Sequence, residues 1–107
     1  MEIKQYSVYW VNLDPVVGSE VSKTRPCVII SPDEMNKYLR TVTIAPITST
    51  SKDYPTRVKF ILEEKPNWIA LDQIRTVDSV RVVKVIGQLE QKEIKKVKAI
   101  IKETFVD

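Results

Sequence analysis

Three polar islands interrupt a chain that otherwise reads as short strands, and they hold the residues equipped for chemistry. In the first, Gly18 permits unusual backbone geometry, Ser19, Ser22 and Thr24 supply hydroxyls, and Lys23 and Arg25 supply cations. A guanidinium grips phosphate through two parallel hydrogen bonds, so Arg25 beside hydroxyls is a phosphate-binding candidate. A surface loop whose arginine makes a salt bridge fits the same residues equally well. In the second island, Thr48 and Ser49 follow a strand ending at Ile47. Hydroxyls at a strand end more often cap a turn than touch a substrate. In the third, Asp72, Arg75 and Asp78 stand at spacings of three, either as a structural ion-pair ladder or as an arginine aimed at a ligand and oriented by carboxylates. Spacing alone favours the ladder. Strand ends in a small barrel gather on one side, which would bring the islands together.

The most restrictive feature of the composition is the absence of histidine from all 107 residues. Histidine is the commonest general acid or base because its pKa lies near neutrality. With one cysteine besides, the chain holds neither the usual zinc ligands nor a Ser-His or Cys-His pair. Catalysis would therefore rest on arginine, lysine, carboxylates, hydroxyls or backbone amides, with no cofactor or metal expected. A net charge of +3 and a pI of about 9.0 lean mildly toward polyanionic partners. No apolar run approaches the roughly 18–20 residues that cross a bilayer, and no membrane partner is expected. Met1-Glu2-Ile3-Lys4-Gln5 does not read as a signal peptide, and a lone cysteine allows no intramolecular disulfide, so the expected compartment is the cytoplasm.

The elements that must position these islands follow from hydrophobic pattern. Tyr6 to Leu13 is aromatic and β-branched and predicts a strand; a polar loop then runs to Arg25, and Pro26 to Ile30 predicts a buried strand containing Cys27. Ser31-Pro32-Asp33 starts a short helical turn through Tyr38. Thr41 to Ile47 is a strand that Pro46 confines to an edge or a strand end. Arg57 to Leu62 is another strand, Glu63 to Asn67 a turn, Trp68 to Leu71 a short strand, and Val80 to Ile86 a further one. From Gln91 to Phe105, apolar residues at 94, 97, 101 and 105 predict a helix packed by one face. Its five lysines, interspersed with acids, read as a solvated face, and no good N-cap residue precedes it. Trp10 is expected in the core; Trp68 could stack on a base or pack against a partner. About six short strands and a terminal helix make one domain over 1–107, mainly β with α, a strongly curved sheet or small barrel capped by helix.

Val8-Tyr9-Trp10-Val11-Asn12-Leu13-Asp14-Pro15, followed by Gly18-Ser19-Glu20 and Ser22-Lys23-Thr24-Arg25-Pro26, resembles the opening of the MazF/PemK family of toxins. Ala45-Pro46-Ile47-Thr48-Ser49 and Leu71-Asp72-Gln73-Ile74-Arg75-Thr76-Val77-Asp78 resemble its later motifs, in the same order. The resemblance implies an SH3-like, PemK-like β-barrel with helical additions and a homodimer. It also implies sequence-specific cleavage of single-stranded RNA, and inhibition by a cognate antitoxin whose extended segment covers the RNA site. The family's catalytic arginine and threonine map onto Arg25 and Thr48, and its RNA-contacting serine onto Ser19. Some relatives give catalytic roles to the later arginine and an aspartate, which makes Arg75 and Asp78 second-rank candidates; Lys23 and Ser49 complete the substrate-binding set. Two departures stand out: Tyr6-Ser7 replaces a Gly-Asp or Gly-Glu pair, and Trp68 stands where smaller residues are usual.

RNA carries its own nucleophile, the 2′-OH, so such an enzyme needs neither a nucleophilic side chain nor a metal. It must position the phosphate in line and stabilise charge on the phosphorane. The expected products are a 2′,3′-cyclic phosphate and a 5′-OH end. The rival readings are a gyrase poison on the same barrel, of the CcdB type, and an RNA-binding module without catalysis. The Thr104-Phe105-Val106-Asp107 ending lacks the tryptophan motif of the first rival.

Overall fold

The computed structural model describes residues 2–13, 24–51 and 54–106. Among these residues seven strands form one strongly curled antiparallel sheet: β1 Ser7–Asn12, β2 Thr24–Ile29, β3 Thr41–Thr48, β4 Arg57–Leu62, β5 Lys65–Ala70, β6 Arg75–Asp78 and β7 Val82–Gln88. A short helix α1, Asp33–Tyr38, separates β2 from β3, and helix α2, Gln91–Ile101, follows β7. The hydrogen-bonded order is β4-β5-β3-β2-β1-β7, with β6 on β3. The mainly β architecture with a C-terminal amphipathic helix is the one the pattern predicts.

Strand β3 organises the sheet. One flank pairs with β2 through Ile44, Ala45 and Pro46. The other flank pairs with β6 from Thr41 to Ile44 and with β5 at Ile47 and Thr48. Pro46 therefore lies in a central strand, not at an edge as its missing N–H suggests. Thr43 turns both its N–H and its C=O toward the β2 side, to Ser31 Oγ at 3.0 Å and Ile30 N at 2.8 Å. By alternation Pro46 turns its nitrogen to the opposite flank, at the junction where β6 has ended and β5 begins. A residue with no N–H to donate is tolerated there.

Alternation places two cores on the two faces of the sheet. Val8, Val28, Ala45, Ile47, Val58 and Ile69 belong to one, closed by Val97 of α2. Tyr9, Val11, Cys27, Ile29, Val42 and Ile44 belong to the other. Ile44 is fully buried and opposes both Ile29 and Arg75. Helix α2 starts with a capping box that its sequence hides: the Glu93 carboxylate accepts from the Glu90 N–H at 2.8 Å, and the Glu90 side chain accepts from the Glu93 N–H in return, so Glu90 takes the place that serine or threonine usually holds. The regular helix ends at Ile101, and a wider π turn carries the chain through Lys102–Val106, short of the single helix predicted to Phe105.

Three local departures from the pattern have backbone causes. Asp72 to Asp78, read only as a polar island, contains the 3-10 turn Leu71–Gln73 and strand β6. Tyr6 has φ of 64°, the left-handed region, at the position where the resembling family carries glycine. Its N–H donates to Ile29 at 2.7 Å and its C=O accepts from Leu89 at 2.9 Å, so pairing on both sides imposes the angle. The predicted five-residue turn between β4 and β5 is only Glu63-Glu64, closed by the pair Leu62 and Lys65. Both glutamates have positive φ, 53° and 65°, in a turn type that favours Asn-Gly. Left-handed backbone costs an ordinary residue about 1–2 kcal/mol. Replacing both residues (E63N/E64G) is expected to raise stability by about 1–2 kcal/mol, seen as a thermal midpoint several degrees higher. An unchanged or lower midpoint by calorimetry would count against relief of strain there.

Candidate active site

Arg25, expected at the end of a loop, is the second residue of β2 and exposed. Its position follows from register. Cys27 opposes Pro46, Val28 opposes Ala45 and Ile29 opposes Ile44. The same count carried two residues further brings Arg25 to the position facing Thr48. Residues of β2 alternate between the two cores, Cys27 and Ile29 on one side and Val28 on the other, which puts Arg25 on the Cys27 side. Arg75, opposite Ile44 on β6, takes that side as well. Electrostatics agrees: burial pushes the Cys27 thiol up to about 12, while the charges of Arg25 and Arg75 both pull against that rise. Two guanidiniums thus act on one point of the sheet from different strands. Cys27 itself is fully buried and, as expected, a core residue.

Thr48 ends β3 with its hydroxyl engaged locally, donating to the Thr50 C=O at 3.0 Å and accepting from the Thr50 N–H at 3.3 Å. The turn-capping use of a strand-end hydroxyl is therefore present in the folded chain. Thr48 is only part-buried. Ser49 is exposed and borders a cleft with Trp10, Arg25, Pro26 and the β4–β5 turn at Glu63 and Lys65. Trp10 is half-buried at this cleft, where the apolar pattern of β1 places it in the core. Strand alternation explains the difference: Val8 is sealed beneath α2, whereas Trp10, two residues on, shares that face beyond the packed region.

Ser19 and Lys23 lie outside the described residues. Asp78 is described and stands apart from Arg25 and Thr48. It opposes Thr41, the first residue of β3, about 23 Å along the strand from Thr48. Its carboxylate accepts from the Val80 N–H at 2.9 Å and caps the 3-10 turn that leads into β7. The expected Asp72-Arg75-Asp78 ladder does not form. A spacing of three shares a face only in a helix, and here Asp72 sits in a 3-10 turn while Arg75 and Asp78 are on a strand.

Asp72 is paired instead with Arg57, a residue the sequence leaves unremarked on β4. The guanidinium donates from Nε to Oδ1 at 2.8 Å and from Nη2 to Oδ2 at 3.2 Å, and Thr56 Oγ1 donates to Oδ1 at 3.0 Å. The third guanidinium nitrogen reaches Ser51 Oγ at 3.0 Å, and the Tyr54 ring lies 5.5 Å away. Arg57 therefore ties the segment just after Thr48 and Ser49 to β4 and to the Leu71–Gln73 turn. Among the described residues no three His, Cys, Asp or Glu side chains gather as metal ligands, and no helix is long and apolar enough to cross a membrane.

Hydrogen bonds from Arg57 hold the Asp72 carboxyl below the usual carboxylate range. A carboxyl lowered in the native state stabilises it fully above the unfolded-state value near 4, and loses that contribution as pH falls through the lower native value. Asp72 is 38% exposed, so solvent screening limits the pair to about 1 kcal/mol. Asp72→Asn is expected to lower the thermal midpoint by several degrees at pH 7, with the gap to the unsubstituted protein closing as pH falls below about 4. A gap that stays constant from pH 7 to pH 3 would show that the pair contributes nothing through its charge.

Residues 4–105 match the family described as PemK-like, MazF-like toxin of type II toxin-antitoxin system. The chain is 35% identical over 103 residues to "Endoribonuclease EndoA" of Bacillus subtilis, covering 91% of this chain and 89% of that protein. It is 39% identical over 102 residues to "Endoribonuclease MazF" of Staphylococcus saprophyticus, covering 89% and 84%. Its fold is shared with a MazE-MazF crystal structure from Deinococcus radiodurans, at a TM-score of 0.82 and 20% identity over 96% of this chain and 95% of that one.

Proposed function

The chain belongs to the PemK-like, MazF-like toxins of type II toxin-antitoxin systems, and from that membership we propose that it is an endoribonuclease that cuts single-stranded RNA. The observation that supports the reading is the β2–β3 register, which, continued two residues past its last pair of Cys27 and Pro46, faces Arg25 to Thr48, with Arg75 on the same side of the sheet. A cation and a hydroxyl at that spacing suit the non-bridging oxygens of one phosphate, and a second cation suits its neighbour. The Bacillus and Staphylococcus relatives, each above 30% identity, are named endoribonucleases, which supports the same activity here.

In the proposed mechanism the substrate's 2′-OH attacks the adjacent phosphorus in line, the bond from phosphorus to the 5′-oxygen breaks, and that oxygen takes a proton from water at the site as it leaves. The products are a 2′,3′-cyclic phosphate and a 5′-OH end. Arg25 binds the scissile phosphate and stabilises the charge that builds on its oxygens, a contribution larger in the transition state than in the ground state. Thr48 gives up its Thr50 contact and donates to a phosphate oxygen. Arg75, Ser49, Ser19 and Lys23 hold the flanking backbone, and Asp78 is left to its turn. Guanidinium groups stay protonated at neutral pH and serve poorly as bases. The 2′-OH proton passes to a carboxylate or to water polarised at the site, and Glu63 is a carboxylate on the cleft that Arg25 borders.

The family membership supports regulation by a cognate antitoxin, as does a mycobacterial endoribonuclease of this fold in complex with its cognate antitoxin. We place the chain in the cytoplasm, as a homodimer whose RNA site an extended antitoxin segment covers.

Incubation of the purified protein with a long single-stranded RNA in EDTA, followed by mapping of ends, tests the reading. Discrete cuts with 5′-OH and cyclic phosphate ends are expected, whereas binding without cuts would leave an RNA-binding module and gyrase trapping a poison. Arg25 is exposed, so Arg25→Ala is expected to slow cleavage about 10²–10³-fold while leaving the thermal midpoint within a few degrees. Near-normal cleavage by that folded variant sinks the assignment.

A further inference from the structure

The sheet register aligns four chemically different side chains across four strands. Thr48 of β3 opposes Trp68 of β5, and Trp68 opposes Lys59 of β4. On the other flank of β3, the count that faces Cys27 to Pro46 leads Arg25 to Thr48. Directly opposed residues of antiparallel strands turn to the same face. The next residues in each strand, Ile47, Ile69 and Val58, are all in the core beneath α2. Thr48, Trp68 and Lys59 therefore take the outer face. With strands ~4.8 Å apart, the row Arg25, Thr48, Trp68, Lys59 spans about 14 Å at right angles to the strands. Its order is cation, hydroxyl, aromatic ring, cation.

The far end of the row opens onto a second cleft, between the edge strand β4 and α2. Tyr54, Lys59, Trp68 and Lys96 border it, and among the described residues no carboxylate lines it. Arg57 also borders it but is committed to Asp72. Lys59 and Lys96 are exposed. The indole Nε1 of Trp68 is sealed from solvent and has no hydrogen-bond partner among the described residues. A buried N–H without an acceptor is unfavourable, so the indole is held in place by the packing of its ring and not by a hydrogen bond.

We propose that this row is the track of the RNA strand beyond the scissile phosphate, with Trp68 as its base-stacking residue and Lys59 and Lys96 as clamps on the next phosphate. The proposal rests on the ribonuclease reading of Arg25 and Thr48 and extends it to the flanking nucleotide. An aromatic face accepts any base by stacking, and lysines hold phosphate as point charges. The run of aromatic and cation beyond Thr48 is what a single strand requires. The two clusters also share a boundary, since Thr48 and Trp68 are direct register partners.

The test measures binding of a fluorescein-labelled single-stranded RNA of about ten nucleotides to Arg25→Ala protein, and cleavage of the same RNA by the otherwise unsubstituted chain. Lys59→Glu with Lys96→Glu is expected to weaken binding about tenfold and to flatten the dependence of log Kd on log salt by about one unit. In cleavage the same pair raises KM and leaves kcat within about twofold. Trp68→Ala is expected to weaken binding about 5- to 150-fold, the range of one lost base stack. Trp68→Phe, which keeps a ring but not the N–H, falls between Trp68→Ala and the parent. Should Trp68→Ala fail to fold, the exposed lysine pair still decides. Unchanged affinity and salt slope in the lysine pair overturn the track. Cleavage with unchanged KM in both the lysine-pair and Trp68 variants removes the track and leaves the nuclease reading intact. Row-dependent binding without any cleavage supports the track and removes the nuclease reading.

Discussion

Strand β3 pairs with three different strands, and the rest of the molecule is arranged around that demand. Along one flank it holds β2; along the other it holds β6 and then β5. A single eight-residue segment thus sets the register of both halves of the sheet. Because side chains alternate with a period of two, a slip of one residue anywhere on β3 would move its whole apolar set to the wrong face. Ile44 and Val42 are sealed into one core and Ala45 and Ile47 into the other, so neither face tolerates such a slip. The register is strongly specified because both faces are buried.

The candidate site inherits its geometry from this constraint. Thr48 is the last residue of β3, and Arg25 lies near the start of β2, so register continued two residues past the last pair of the β2–β3 ladder faces one to the other. Arg75 joins from β6 because Ile44 is shared between two ladders. None of the three is adjacent in sequence, yet each is a fixed number of residues from a buried neighbour. Functional side chains on strand ends gain precision from the packed strands behind them, and substrate-facing loops then need to supply only the remaining contacts. Arg57 adds local support by tying Ser51, beyond Thr48, to Asp72 at the Leu71–Gln73 turn.

Much of this was legible from residue order. The strands at Ser7–Asn12 and Arg57–Leu62, the short helix at Asp33–Tyr38 and the helix from Gln91 follow directly from apolar period and turn residues. What eluded the pattern has identifiable causes. Strand β6 is four residues long and bounded by polar groups, too short for alternation to register. The Glu63-Glu64 turn lacks the glycine or asparagine that ordinarily marks positive φ. Pro46 argues for an edge unless one knows that its nitrogen meets a gap between two partner strands. The Arg57–Asp72 pair joins residues fifteen apart, whereas charge spacing within the third island pointed to Arg75.

By itself the sequence determined the fold class, the chemical repertoire and the family, because these depend on residue type, local period and ordered motifs. A chain without histidine, with Lys23-Thr24-Arg25-Pro26 and Pro46-Ile47-Thr48-Ser49 in that order, restricts catalysis to arginine, hydroxyls and carboxylates. Tertiary structure decided which of those residues meet. It set a register that points Arg25 toward Thr48, sent Asp78 to the other end of β3, and lined Trp68 and Lys59 up beyond the threonine. The physical reason is that strand register is a non-local quantity. It is settled by which apolar side chains two distant segments can bury together, and a one-residue difference in that match reassigns every neighbour.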